Sequence, residues 1–130
     1  MVRLAPLLAL TALAACQDEP GGEGIAVPSG RELSLIEILT DVAGTEGAVA
    51  RFRFLAPGLT QDEAMAAAGD MQALCESFAL SRIDGMVPAP RQIVISWSAE
   101  PIPFGQSAPG VVQFFESYGV ETGTCMWEQF

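Results

Sequence analysis

Two rhythms of hydrophobic and polar positions run along the chain. Between Ala48 and Leu55, Phe52 and Phe54 alternate with Arg51 and Arg53, the period of two expected of a half-buried strand. Gln92 to Ser98 repeats it, with Ile93, Ile95 and Trp97 on one face and Val94 and Ser96 on the other. Between these segments the period lengthens. Pro57-Gly58 ends the first strand, and Thr60 with Glu63 three residues on has the form of a helix capping box. Met71, Leu74, Cys75 and Phe78 then recur at helical spacing, so one face carries all four and should pack on a sheet. Gly69 is the expected weak point of that helix.

The flanking segments complete the outline. Leu33 to Thr40 is apolar and partly β-branched, as in a strand, but Ser34 and Glu37 also fit a capping box; both readings stay open. Val87 to Pro90 reads as a loop. Glu100 to Gly110 holds three prolines, which forbid a central strand there. Val111 to Glu121 and Thr124 to Phe130 form a hairpin pattern turning at Thr122-Gly123. The expected fold is α+β: an antiparallel sheet of four to five strands, one helix packed on one face, order β-β-α-β-β-β. With 130 residues in all, it occupies residues 31–130 as a single domain.

The first thirty residues follow another logic. Arg3 precedes an apolar run from Leu4 to Leu13, and small residues lead into Cys16, the form of an export signal over residues 1–15. The run is about half the roughly 20 residues that a membrane-spanning helix needs. Leu13-Ala14-Ala15-Cys16 resembles a bacterial lipobox. That resemblance implies cleavage before Cys16, diacylation of its thiol and acylation of the new amino group. Two or three chains anchor a protein firmly, where one does not. Cleavage as an ordinary secreted protein, leaving Cys16 as a bare thiol, is the alternative. By analogy with lipoprotein sorting, Gln17 in place of aspartate favours the periplasmic face of the outer membrane, the inner membrane being the second choice. Residues 16–30 are rich in glycine, proline and acid and read as the lipidated start and a tether.

Charge narrows the partners. Removing residues 1–15 takes away Arg3 and no acid, so the net charge moves from −10 to −11. A chain this acidic repels nucleic acid and attracts cationic surfaces. Histidine and lysine are both absent from the sequence, which excludes nucleophiles activated by either. Glu116 and Glu128 lie on opposite arms of the hairpin. Facing each other, one would have a raised pKa; otherwise both are solvated surface acids. Cys75 and Cys125 remain once Cys16 is lipidated, and an even pair in an oxidising compartment reads as a disulfide. A redox or metal pair is the rival, but neither cysteine lies in a Cys-x-x-Cys pattern. No metal or other cofactor is expected.

Two candidate binding features remain. Arg51 and Arg53 sit side by side on one strand face and suit a bidentate anion, unless neighbouring acids neutralise them. Ile102, Phe104 and Gln106 occupy the proline-rich loop, where exposed apolar groups anchor partners, unless Phe104 plugs the core edge.

Several strings together carry a family resemblance: Arg51-Phe52-Arg53-Phe54 with Ala56-Pro57, Leu74-Cys75, Ile93-Val94-Ile95-Ser96, Phe104-Gly105, Gln113-Phe114-Phe115-Glu116 and the terminal Cys125-Met126-Trp127-Glu128-Gln129-Phe130. They resemble small alphaproteobacterial lipoproteins catalogued as a domain of unknown function. Some of those proteins bear the label acetolactate synthase. A thiamine-diphosphate enzyme needs several large domains, and this chain offers about a hundred residues for one, so the label is set aside. The functional expectation is a non-enzymatic envelope accessory protein that binds an unidentified envelope protein. The alternatives are an inhibitor of a cationic hydrolase such as a lysozyme and, behind it, a carboxylate-based enzyme.

Overall fold

The computed structural model describes residues 25–44 and 47–129. Five strands form one sheet in sequence order: β1 (Ser34–Gly44), β2 (Gly47–Leu55), β3 (Gln92–Ser98), β4 (Gln113–Gly119) and β5 (Met126–Glu128). The open choice at Leu33–Thr40 therefore resolves as strand. The element order β-β-α-β-β-β holds, with one correction to the expected sheet. β2 and β3 are parallel, while the other three neighbouring pairs are antiparallel. A hairpin returns the chain antiparallel, whereas a helix crossing the sheet carries it back to begin alongside. That crossover is the helical segment between Gln61 and Ile83, and it makes the sheet mixed.

The crossover begins with a 3-10 turn at Gln61–Glu63 and continues as α1 (Ala64–Leu74), a π-turn (Cys75–Ala79) and α2 (Leu80–Ile83). At its start the Glu63 carboxylate accepts the Thr60 backbone N–H at 3.0 Å, as the capping-box spacing predicts. The departure from α geometry comes at Cys75 rather than at Gly69, which stays within α1. Met71, Leu74, Cys75 and Phe78 are all buried. Phe78 packs edge-on against Phe52 and Phe54, with ring centroids 6.2 and 5.7 Å apart, a favoured aromatic geometry.

The sheet supplies the other half of the core. Ala50, Phe52, Phe54, Ile93, Ile95, Trp97 and Tyr118 face the helix with no more than 1% of their surface exposed. Cys75 is bonded to Cys125, fifty residues on. The bond ties the helix to the approach to β5 and contributes about 4 kcal/mol on the loop-entropy model. Beside it, Gln72 Nε2 donates to the Cys125 carbonyl at 2.9 Å. Packing reaches back into the segment read as a tether: Val27 is buried, and Asp70 accepts the Ser29 backbone N–H at 3.0 Å. Cys16 and the signal region lie outside the described residues. Among the described residues, no helix is long and apolar enough to cross a membrane.

Candidate functional site

The helix covers one face of the sheet; the chain treats the other differently. Strand alternation puts Arg51 and Arg53 of β2 on this second face with Val94, Ser96 and Ser98 of β3. Gln113, Phe115 and Ser117 of β4 join them in register. The connection from Ala99 to Val112 folds back over these residues. Its ends are clipped together by the Ala99 N–H to the Val112 carbonyl at 3.0 Å. Its tip turns at Gly105, whose φ of 82° suits glycine, and the Gln106 N–H reaches the Pro103 carbonyl at 3.1 Å.

Arg53 anchors this loop. Its guanidinium donates to the Ile102 carbonyl and pairs with Glu37 of β1. A shift of register produces the ion pair. Leu35 is opposite Phe54, but the next pairing is Glu37 with Arg53, so one extra residue has been inserted. Without that bulge Ile36 would face Arg53. Instead Ile36 is exposed, and Arg53 is buried beneath the loop with its charge matched.

Arg51 has no such partner. Its cross-strand neighbours are Leu39 of β1 and Val94 of β3, both apolar, and no ion pair to it is found among the described residues. Its Nε is buried without a hydrogen-bond acceptor. Burial, and then the adjacent Arg53 charge, lower its pKa from the ordinary guanidinium value, since both disfavour the cation. The Phe104 ring lies over both guanidinium groups, its centroid 5.4 Å from Arg51 Cζ and 5.7 Å from Arg53 Cζ. Such cation–π contact partly offsets the lost hydration.

These groups enclose a cavity of about 360 Å³, near the lower end of the range for small-ligand sites. Arg51, Arg53 and Ser96 line its sheet side, and Ile102, Phe104 and Gln106 its loop side. The Arg51–Arg53 pair and the Ile102–Phe104–Gln106 loop, two separate candidates in the sequence, thus meet in one place. Within it, Ile102 is buried and Gln106 exposed, while Phe104 keeps 50% of its surface and so does not plug the core. Ser98, Gln113 and Phe115 complete the wall and were not singled out from the sequence. Their signal was the alternation that already placed Ser96 on the face opposite Ile95.

Around Arg91 the polar groups are paired with one another. A second cavity, of about 550 Å³, lies between Arg91, Gln92, Glu121, Trp127 and Glu128. There Arg91 Nε donates to Glu121 at 2.8 Å and Gln92 Nε2 to Glu128 at 2.7 Å. Gly119 lies against this contact, and a Cβ there would meet Glu128 Oε1, so that side chain would have to shift. Glu116 and Glu128 do not face each other. Glu128 is in register with Ser117, so Glu116, one residue away, points to the opposite side, where it accepts the Trp127 indole N–H. Among the described residues no three His, Cys, Asp or Glu side chains cluster as metal ligands would.

The chain belongs to a family of unknown function, DUF6497, whose model matches residues 7–130. No curated protein and no solved structure matches it.

Proposed function

We propose that this protein is a lipid-anchored, periplasm-facing accessory protein of the bacterial envelope that acts by binding a partner rather than by catalysis. The observation that carries the reading is the loop-covered cavity, with a charged group, Arg51, that the fold buries in part and that has no counter-ion among the described residues. A folded chain gains nothing in stability from such a cation, whereas a binding site needs one. The half-exposed Phe104 at its rim is an aromatic anchor of the kind that concentrates interface energy. The lining offers guanidinium, amide, hydroxyl and ring groups, a set suited to recognition. The lipobox-like string ending at Cys16 and the Cys75–Cys125 disulfide support an exported, oxidising location.

The test joins anchor and face. An alkyne fatty acid should label the wild-type protein in cells, and Cys16→Ser should lose the label. A photocrosslinker placed at Gln106 should give a discrete adduct that a crosslinker at Ser77, exposed on the helix, does not give. Phe104→Ala should abolish the adduct, and raising the salt should leave it. Label retained by the serine variant would refute the anchor. An adduct from Ser77 alone, or one lost with salt and indifferent to Phe104→Ala, would refute the binding face and favour an inhibitor acting through acidic surface.

A further inference from the structure

The two arginines under the loop have been given different tasks. Arg53 has both terminal nitrogens engaged, one by Glu37 and one by the Ile102 carbonyl. Arg51 is flanked in register by Leu39 and Val94, has a buried Nε with no acceptor, and lines the cavity. We propose that this cavity binds one carboxylate carried on an apolar group, with the Arg51 guanidinium as its partner. The assignment rests on reading the loop-covered face as a binding surface.

Charge number, shape and lining select this class. A guanidinium fork matches a carboxylate with two parallel hydrogen bonds, and only one fork is unspent here. Ser96, Ser98 and Gln113 add hydroxyl and amide groups around it, which suit the remaining lone pairs of a single acid. A phosphate dianion asks for more positive charge than one arginine supplies, and approaches a protein whose net charge is already −10. Phe104, Phe115 and Ile102 are among the apolar groups of the lining, so the carboxylate should carry a hydrocarbon or aromatic body. A volume of about 360 Å³ accommodates an acid of amino-acid size. Small organic acids and the C-terminal residue of a peptide share this chemistry.

Calorimetric titration of the full-length protein can decide it. The probes are N-acetyl-phenylalanine, its amide, a pentapeptide ending in phenylalanine with a free or amidated terminus, and inorganic phosphate. The free acids should bind at least about tenfold more tightly than their amides, the scale of hydrogen bonds to a charged group. Arg51→Gln should lose the same factor while unfolding at an unchanged temperature, and Arg51→Lys should keep the charge but only part of the affinity. A peptide that binds tenfold better than N-acetyl-phenylalanine points to a chain terminus as the natural source; equal affinities point to a free acid. Amides binding as well as acids, phosphate binding more tightly than either, or full affinity in a folded Arg51→Gln would overturn the assignment. Such a failure beside an intact Gln106 crosslink would remove the ligand class and leave the binding face standing.

Discussion

The two faces of the same sheet are built from neighbouring residues of the same strands, yet they obey opposite rules. Toward the helix, Phe52, Phe54, Ile93, Ile95 and Tyr118 show no exposed surface, and Trp97 only 1%. Toward the loop, Arg51, Arg53, Ser96, Ser98 and Gln113 line a cavity. The helix face is closed by rigid packing and a disulfide. The loop face is held by an arginine that reaches a carbonyl and a carboxylate. Stability therefore belongs mainly to one face, and the other is left to bear an unmatched charge.

The sharpest way to break this division is to shave one phenylalanine from each face. Phe52→Ala removes a fully buried ring and should cost about 3–5 kcal/mol. Phe104 is half exposed and rests on guanidinium groups, so Phe104→Ala should cost less than about 1 kcal/mol. Urea unfolding of both variants measures the difference, and comparable losses would show that the loop face is core after all.

A smaller contrast separates the arginines. Arg53→Met strands the Ile102 carbonyl and frees Glu37, which is already 39% exposed and rehydrates readily. The expected loss is about 1–3 kcal/mol, most of it from the carbonyl rather than the screened ion pair. Arg51→Met removes a partly buried cation with no counter-ion among the described residues, and stability should stay within about 0.5 kcal/mol or rise. A destabilisation by Arg51→Met equal to that of Arg53→Met would mean that Arg51 is structural.

The smallest effect tests the helix face itself. Tyr118 is buried there with no hydrogen-bond partner for its hydroxyl. Burial first, then Glu116 and Glu76, raise its pKa above the ordinary 10.0. The folded form therefore keeps its proton at a pH where the unfolded form loses it. Its contribution to stability is full below pH 10.0 and falls as pH rises through that value toward the folded pKa. Tyr118→Phe should leave neutral stability unchanged or raise it by about 1 kcal/mol, and flatten the alkaline decline. The chain has no other tyrosine and no lysine, so tyrosinate absorbance reads this group alone. Ionisation near pH 10.0 in the folded protein would show that the hydroxyl reaches water.

Much of the helix face was legible before the fold was known. Phe52 and Phe54 in a period of two, and Met71, Leu74, Cys75 and Phe78 at helical spacing, are local patterns. A strand or helix displays them in its own few residues. The hairpin at Thr122-Gly123 and the pairing of Cys75 with Cys125 follow likewise from turn chemistry and from the two cysteines that remain once Cys16 is set aside. The Arg51–Arg53 pair and the Ile102–Gln106 loop were each visible as separate features. Their union was not.

What joins them acts over distance in the chain. Arg53 meets the Ile102 carbonyl forty-nine residues away, and no local pattern encodes a contact between a strand and a loop so far apart. The bulge between Leu35 and Glu37 is a second such decision. Simple alternation along β1 and β2 would set Ile36 against Arg53, but the inserted residue brings Glu37 there and leaves Arg51 between Leu39 and Val94. Composition and periodicity specify which face of each element is apolar, because that is a property of successive residues. Which strands become neighbours, in what direction and in what register depends on how the crossover helix and the loop pack. Those long-range contacts, formed only when the whole domain closes, leave Arg53 neutralised and Arg51 without an acidic partner among the described residues.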